Sequence, residues 1–362
     1  MREDGTFEWR GSGAIQPSFC ESGAMTKSFR VGVDSYSLSP LKLSPFEVLD
    51  WAAAHNADGV QFTELHLRQG QPVDGSFLTD LAEQARARNL YLEWGGAEHI
   101  PFDTTTWQRK DLLPVNTTAA QQASALGVTT VRSCSGGLMR WKDDAPPTET
   151  LLRETASALK AQSALLTDLN VVLAIETHFE FTTFELLRMF DMCDAEPGGC
   201  LGVCLDTMNL LTMLEDPLAG TERILPWVVA VHAKDGGLQP NDSGLVSFPT
   251  GIGAGCVDFD RILARLAMLN RAVHLSIEDH GGRFEIPIYD PVFLSRFPDL
   301  TAIELARLMQ LAYEGLQRVR AGDIAPIARS EWRQHCETRL RDDVANMKRI
   351  VARQGKPAVA SE

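Results

Sequence analysis

The chain has 362 residues, 44% of them hydrophobic and 23% charged, with a formal net charge of −14. Such a composition excludes a mainly disordered protein, and the length is enough to bury a core without disulfide staples. No run approaches the ~18 apolar residues of a spanning helix, and the acidic balance disfavours duplex DNA, whose non-specific affinity rests on Lys and Arg.

Residues 1–28 are rich in Gly and Ser and carry no apolar h-region. They read as a flexible leader rather than a secretory signal, with Met1 or Met25 as the start of translation. The seven cysteines are scattered, odd in number and without a CxxC pair. This is the usage of a reduced, cytoplasmic protein.

From Phe29 onward, short β-branched or apolar runs alternate with helical patterns. Strands are expected at 31–36, 59–65, 90–94, 129–133, 171–176, 201–206, 228–234 and 273–278. The helices between them carry start signals. Ser44-Pro45-Phe46-Glu47 is a capping box with Pro at the first helical position, and Thr182-Thr183-Phe184-Glu185 is a second box. Asp258 is placed to cap a helix over 259–269, and 149–170 reads as one long amphipathic helix. The eighth helix is expected at 298–322, followed by an Arg-rich helical pattern at about 330–354. Eight strand–helix units close most simply into a (β/α)8 TIM barrel over 29–322, and an open doubly wound sheet is the alternative. Residues 323–362 form a C-terminal helical appendage that packs on the barrel or on a partner subunit.

In such a barrel, catalytic groups sit at the C-terminal ends of the strands. Strands five to eight each deliver a strong ligand at the tip: Glu176, Asp206, His232 and Glu278. Taken singly, each has an ordinary structural role, as a loop cap, a core histidine or an ion-pair partner. Together, three carboxylates at one barrel mouth repel one another, and burying them unpaired is costly. A divalent cation resolves this, and the mainly oxygen donor set favours Mn²⁺, with Mg²⁺, Co²⁺ or Zn²⁺ also compatible. The loop Gly251-x-Gly253-x-Gly255 lacks the GxGxxG spacing and does not follow the first strand of a βαβ unit, so it is a poor nucleotide-binding candidate.

The runs Ile175-Glu176-Thr177-x, Leu205-Asp206-Thr207-x-Asn209, Val231-His232-Ala233-Lys234-Asp235 and Ser276-Ile277-Glu278-Asp279 resemble the sugar phosphate isomerase/epimerase group of xylose-isomerase-like barrels. So does the segment from Pro249 to Phe259, which is similar to that group's P-x-G-x-G…V-D-F. The resemblance spans roughly 29–320 and is most specific in the second half. It implies a (β/α)8 barrel with one catalytic divalent metal held by Glu176, Asp206, His232 and Glu278. It departs from the ketose 3-epimerases at three substrate-gripping positions. Asn209 stands where they have His, Thr182 where they have Glu, and Gly residues follow Lys234-Asp235 where they have Arg.

The chemistry so implied is proton abstraction next to a carbonyl through an enediolate, with Glu176 and Glu278 on opposite sides of the substrate carbon. Lys234, Asn209, His178, Glu64, Trp94 and Arg132 are the expected substrate-binding residues, Trp94 covering an apolar sugar face and Lys234 holding a carboxylate or phosphate, or else pairing with Asp235. An isomerase or epimerase on a small carbohydrate is the first reading. A metal-dependent lyase on an oxo-sugar or sugar acid uses the same enediolate and is the alternative. An apurinic-site nuclease would need more His ligands than Asn209 and eight histidines in all suggest, and a non-catalytic barrel would retain the ligands only for structure. Neither nucleic acid nor membrane is an expected partner, and a homo-oligomer through the barrel helices and the Arg-rich tail is a family-level expectation.

Overall fold

The computed structural model describes residues 29–63 and 73–354. Eight strands are hydrogen-bonded in parallel into a closed ring: β1 (Val31–Asp34), β2 (Gly59–Phe62), β3 (Tyr91–Ala97), β4 (Thr130–Ser133), β5 (Val172–Glu176), β6 (Leu201–Asp206), β7 (Val228–Ala233) and β10 (Leu275–Ile277), the last pairing with both β7 and β1. This is the expected (β/α)8 TIM barrel. The strands are short apolar runs whose successive residues point alternately into the barrel and out to the helices.

The described helices are α1 (Pro45–Ala54), α2 (Gly75–Ala87), α3 (Leu113–Leu126), α4 (Thr148–Lys160), α5 (Ser163–Asp168), α6 (Thr183–Met192), α7 (Asn209–Thr212), α8 (Pro217–Ile224), α9 (Phe259–Leu266), α10 (Pro291–Leu294), α11 (Ala302–Ala321) and α12 (Trp332–Gln354). Three start as the sequence directs. Ser44 and Thr182 close reciprocal capping boxes with Glu47 and Glu185, and the Asp258 carboxylate accepts from Arg261 N at 3.1 Å. The expected single helix over 149–170 is instead two, α4 and α5. The break falls at Gln162, whose buried side chain accepts from Asn116 Nδ2 at 2.8 Å and so leaves the helix face for the neighbouring α3.

The largest departure from expectation lies after β7. The segment after β7, to which the sequence assigns no element, forms an antiparallel hairpin, β8 (Asp235–Asn241) and β9 (Gly244–Thr250), to which β11 (Phe284–Ile286) adds a third strand. Helix α11, expected as the eighth barrel helix, lies across this small sheet, with Leu308, Leu311 and Ala312 packed on Leu238, Leu245 and Ile286. The approach is close: a Cβ on Gly315 would meet Leu238 O at 2.0 Å, so only glycine fits. The C-terminal helix α12 packs instead against β1, β10 and α9. Its Trp332, Cys336, Leu340, Val344, Met347 and Ile350 are buried in the main core. Among the described residues no helix is long and apolar enough to cross a membrane.

Candidate metal centre at the barrel mouth

Strand register sets the site. Glu176 ends β5, Asp206 ends β6, His232 lies one residue before the end of β7, and Glu278 follows β10 directly. In this ring Glu176 is level with Cys204, and Asp206 with His232. One ligand atom from each of the four lies within 4.8 Å of the other three, and none is more than 5% exposed.

Each donor is held by the elements around it. Asp206 Oδ1 accepts from the amides of Met208 and Asn209, both at 2.9 Å, leaving Oδ2 to face the site. Thr177 Oγ1 accepts from Asp206 N at 2.8 Å and ties the ends of β5 and β6 together. Glu176 Oε2 accepts from Arg132 Nε at 2.7 Å, and Oε1 lies 3.5 Å from His232 Nδ1 and 3.5 Å from Asn209 Nδ2. Glu278 Oε2 accepts from Lys234 Nζ at 2.7 Å, and the same ammonium is 3.5 Å from Asp206 Oδ2.

His232 is oriented from below by Gln61. Its Nε2–H donates to Gln61 Oε1, and Gln61 Nε2 donates to Glu93 Oε2 at 2.9 Å. That chain fixes the tautomer with the lone pair on Nδ1, which is buried, turned towards Glu176 and Glu278, and without a hydrogen-bond partner. A partnerless imidazole nitrogen facing carboxylates is the arrangement a cation completes.

The electrostatics point the same way. Burial raises every carboxyl here, but the charge of Arg132 outweighs it at Glu176 and that of Lys234 outweighs it at Glu278, so both stay well below the usual range. Asp206 is farther from Lys234 and is pushed up to about 7, by burial first and then by Glu278 and Glu176. Asp34, on β1 beside His232, is pushed up to about 6 by burial, and its Oδ2 is buried without a partner. The protein's own cations thus neutralise two of the carboxylates and leave a net demand for positive charge.

The expected substrate-binding residues divide. Arg132, Lys234 and Asn209 join the cluster, and Lys234 pairs with Glu278 rather than with Asp235. The Asp235 carboxylate is taken up by four amides, those of Gly236, Gly253, Gly255 and Val257. The glycine-rich loop is therefore spent on an internal carboxylate; a Cβ on Gly255 would meet Asp235 Oδ1 at 2.0 Å. His178 stands at the rim, its Nδ1 3.0 Å from Glu180 Oε2. Glu64 lies outside the described residues. Trp94 needs correction. Glu93 points into the barrel, so by strand alternation Trp94 points out, and its Nε1 donates to Gln122 of α3 at 3.2 Å. It is 1% exposed and faces the helical layer, not the mouth.

Sequence reasoning missed Gln61, Glu180 and the surroundings of Cys134. Gln61 had a signal: a buried amide between Val60 and Phe62 inside an apolar strand. Glu180 and Cys134 sit just past strand ends among ordinary loop residues, where nothing in the sequence sets them apart.

No curated protein matches the chain by sequence. Solved structures match it in fold. A xylose isomerase-like TIM barrel protein from Mycobacterium smegmatis in complex with magnesium aligns with a TM-score of 0.54 at 13% identity, covering 78% of this chain and 98% of that one. D-psicose 3-epimerase with D-tagatose from Clostridium cellulolyticum H10 aligns at 0.53 and 12%, covering 80% and 99%. The probable 3-DHS dehydratase AsbF of petrobactin synthesis from Bacillus anthracis aligns at 0.52 and 14%, covering 75% and 99%. At these identities the likeness is one of fold. The family follows from the sequence itself, since residues 49–297 match its description over more than half of the chain: the protein belongs to the xylose isomerase-like TIM barrel family.

Proposed function

We propose that the protein is a divalent-metal-dependent isomerase or epimerase of a small sugar or sugar derivative, working by proton transfer next to a carbonyl. The observation that carries this reading is the convergence of Glu176, Asp206, His232 and Glu278 with a partnerless Nδ1 on His232. Those four residues would hold the cation, Mn²⁺ by their mainly oxygen donors, with Mg²⁺ the next choice. When bound, it supplies Lewis acidity to adjacent substrate oxygens and so acidifies the C–H between them.

The chain's own residues do the rest. Glu176 and Glu278, on β5 and after β10, approach the bound substrate from separate sides, one taking the proton from carbon and the other returning it. Arg132 and Lys234 keep these carboxylates ionised and fixed in rotamer. Lys234 and Asn209 offer N–H donors to substrate hydroxyls, and His178 closes the rim. The lyase alternative shares this site. It is favoured by one detail: Thr182, in the position of a ketose-gripping Glu, is buried as the N-cap of α6, its hydroxyl taken up by Glu185 N. Free thiols at all six described cysteines support a reducing, cytoplasmic setting.

The experiment is proton exchange in D₂O, followed by NMR, on the metal-loaded protein with ketoses, aldoses and oxo-sugar acids. Deuterium entering the carbon next to a carbonyl, in a product of the substrate's own composition apart from that label, supports the isomerase. Loss of water or CO₂ supports the lyase. Absence of exchange across the panel with metal bound contradicts both.

A further inference from the structure

A second set of donors stands beside the four-residue centre, at the tips of β4 and β5. Cys134 follows β4, and His178 and Glu180 follow β5. One ligand atom from each lies within 4.8 Å of the other two. None of the three belongs to the first centre. Glu180 is 2% exposed, and its Oε1 is buried with no hydrogen-bond partner. An acceptor-only oxygen buried without a donor is costly, and neither the Cys134 thiol nor the His178 ring relieves it. The other oxygen lies 3.0 Å from His178 Nδ1. His178 and Glu180 are thus already turned towards each other, while Glu180 Oε1 is left for a partner the protein does not supply.

We infer that Cys134, His178 and Glu180 form a second metal site, separate from the four-residue centre and selective for a thiophilic divalent cation of the Zn²⁺ class. The chemistry of the donors sets that choice. The first centre offers three carboxylates and one imidazole; the second offers one sulfur, one nitrogen and one oxygen. Thiolate ligation discriminates against Mg²⁺ and Mn²⁺ and favours Zn²⁺ or Co²⁺. On binding, His178 Nδ1 gives its hydrogen to solvent, with Nε2 carrying the ring hydrogen of the neutral imidazole, and Cys134 Sγ–H likewise gives its proton to solvent, so the ion takes the place of both. Three protein ligands leave a fourth position open, as in sites that accept water or a substrate oxygen. Cys134 and His178 are each partly exposed, so an ion can enter from the mouth of the barrel.

The test is a Co²⁺ titration of the full chain, read by stoichiometry and by the thiolate-to-cobalt absorption in the near ultraviolet. The wild type is expected to bind two equivalents, one of them with the thiolate band. Cys134→Ser should lose the band and one equivalent while keeping the other; His178→Ala should do the same. Glu278→Gln should keep the band, which separates this site from the first centre. A wild type that shows no thiolate band at saturating Co²⁺ overturns the inference, and so does a band that persists in Cys134→Ser. Absence of the band from the wild type decides against the inference even if a variant fails to fold.

Discussion

Replacing Lys234 with Met removes the cation that neutralises Glu278 and leaves the hydrocarbon stem in place. The ammonium is 2% exposed and 2.7 Å from Glu278 Oε2. At an effective dielectric of about 20, that separation corresponds to roughly 6 kcal/mol of gross attraction, much of it offset by the cost of burying both charges. Breaking a buried pair from one side typically costs about 3–5 kcal/mol, because the remaining charge is stranded. For a chain of this size that lowers Tm by roughly 4–7 °C. The same stranded charge strengthens the demand for a cation, so Mn²⁺ should raise Tm further in Lys234→Met than in wild type. The assay is differential scanning calorimetry of both proteins, stripped of metal by chelation and then loaded. A stripped variant as stable as wild type, or one that gains no more from Mn²⁺, refutes the reasoning that Lys234 and the metal serve the same carboxylates.

Other perturbations have equally definite outcomes. Asp343 on α12 is buried, accepts from Ile252 N at 2.7 Å, and is pushed up to about 8 by burial, against the pull of that bond and of Arg339. A carboxyl raised in the folded state binds its proton where the unfolded chain has lost it, so its contribution to stability is greatest in acid and declines as pH rises from about 4 to about 8. Asp343→Asn should therefore match wild type near pH 4 and exceed it by about 1–3 kcal/mol at pH 8; an unchanged difference between the two pH values contradicts this. Gly315→Ala should destabilise the fold by about 1–3 kcal/mol through the clash with Leu238 O, although alanine is the better helix former. A more stable variant in urea unfolding would show that α11 can lift from the small sheet. Trp94→Phe should cost about 1 kcal/mol for the lost bond to Gln122 and leave KM for any substrate unchanged. A raised KM would put the indole back at the mouth.

The centre was legible because each of four apolar runs ends in a single strong donor, and in a parallel barrel the ends of neighbouring strands converge. Nothing but strand alternation was needed to bring Glu176, Asp206, His232 and Glu278 together. Reading strand ends without that alternation misplaces Trp94, since neighbouring residues of a strand point to opposite faces. The β8–β9 hairpin was hidden by Gly236, Gly237, Pro240 and Gly244, which read as loop chemistry. They are tolerated because the small sheet is anchored by Leu238, Leu245 and Phe248 and covered by α11. Once α11 is drawn to that sheet, the slot beside β1 and β10 is left for α12. The Arg-rich sequence of α12 obscured its apolar stripe of Cys336, Leu340, Val344, Met347 and Ile350. Gln61 escaped notice because its role depends on a hydrogen bond to His232, 171 residues away.

The central claim is that Glu176, Asp206, His232 and Glu278 bind one divalent cation. The most direct measurement is bound metal per chain, by inductively coupled plasma mass spectrometry, on wild type and Glu278→Gln after loading with Mn²⁺ and dialysis. The account predicts one equivalent of Mn in wild type and its loss in the variant, with the fold retained by circular dichroism. Wild type that holds no Mn, or a variant that holds as much as wild type, contradicts it.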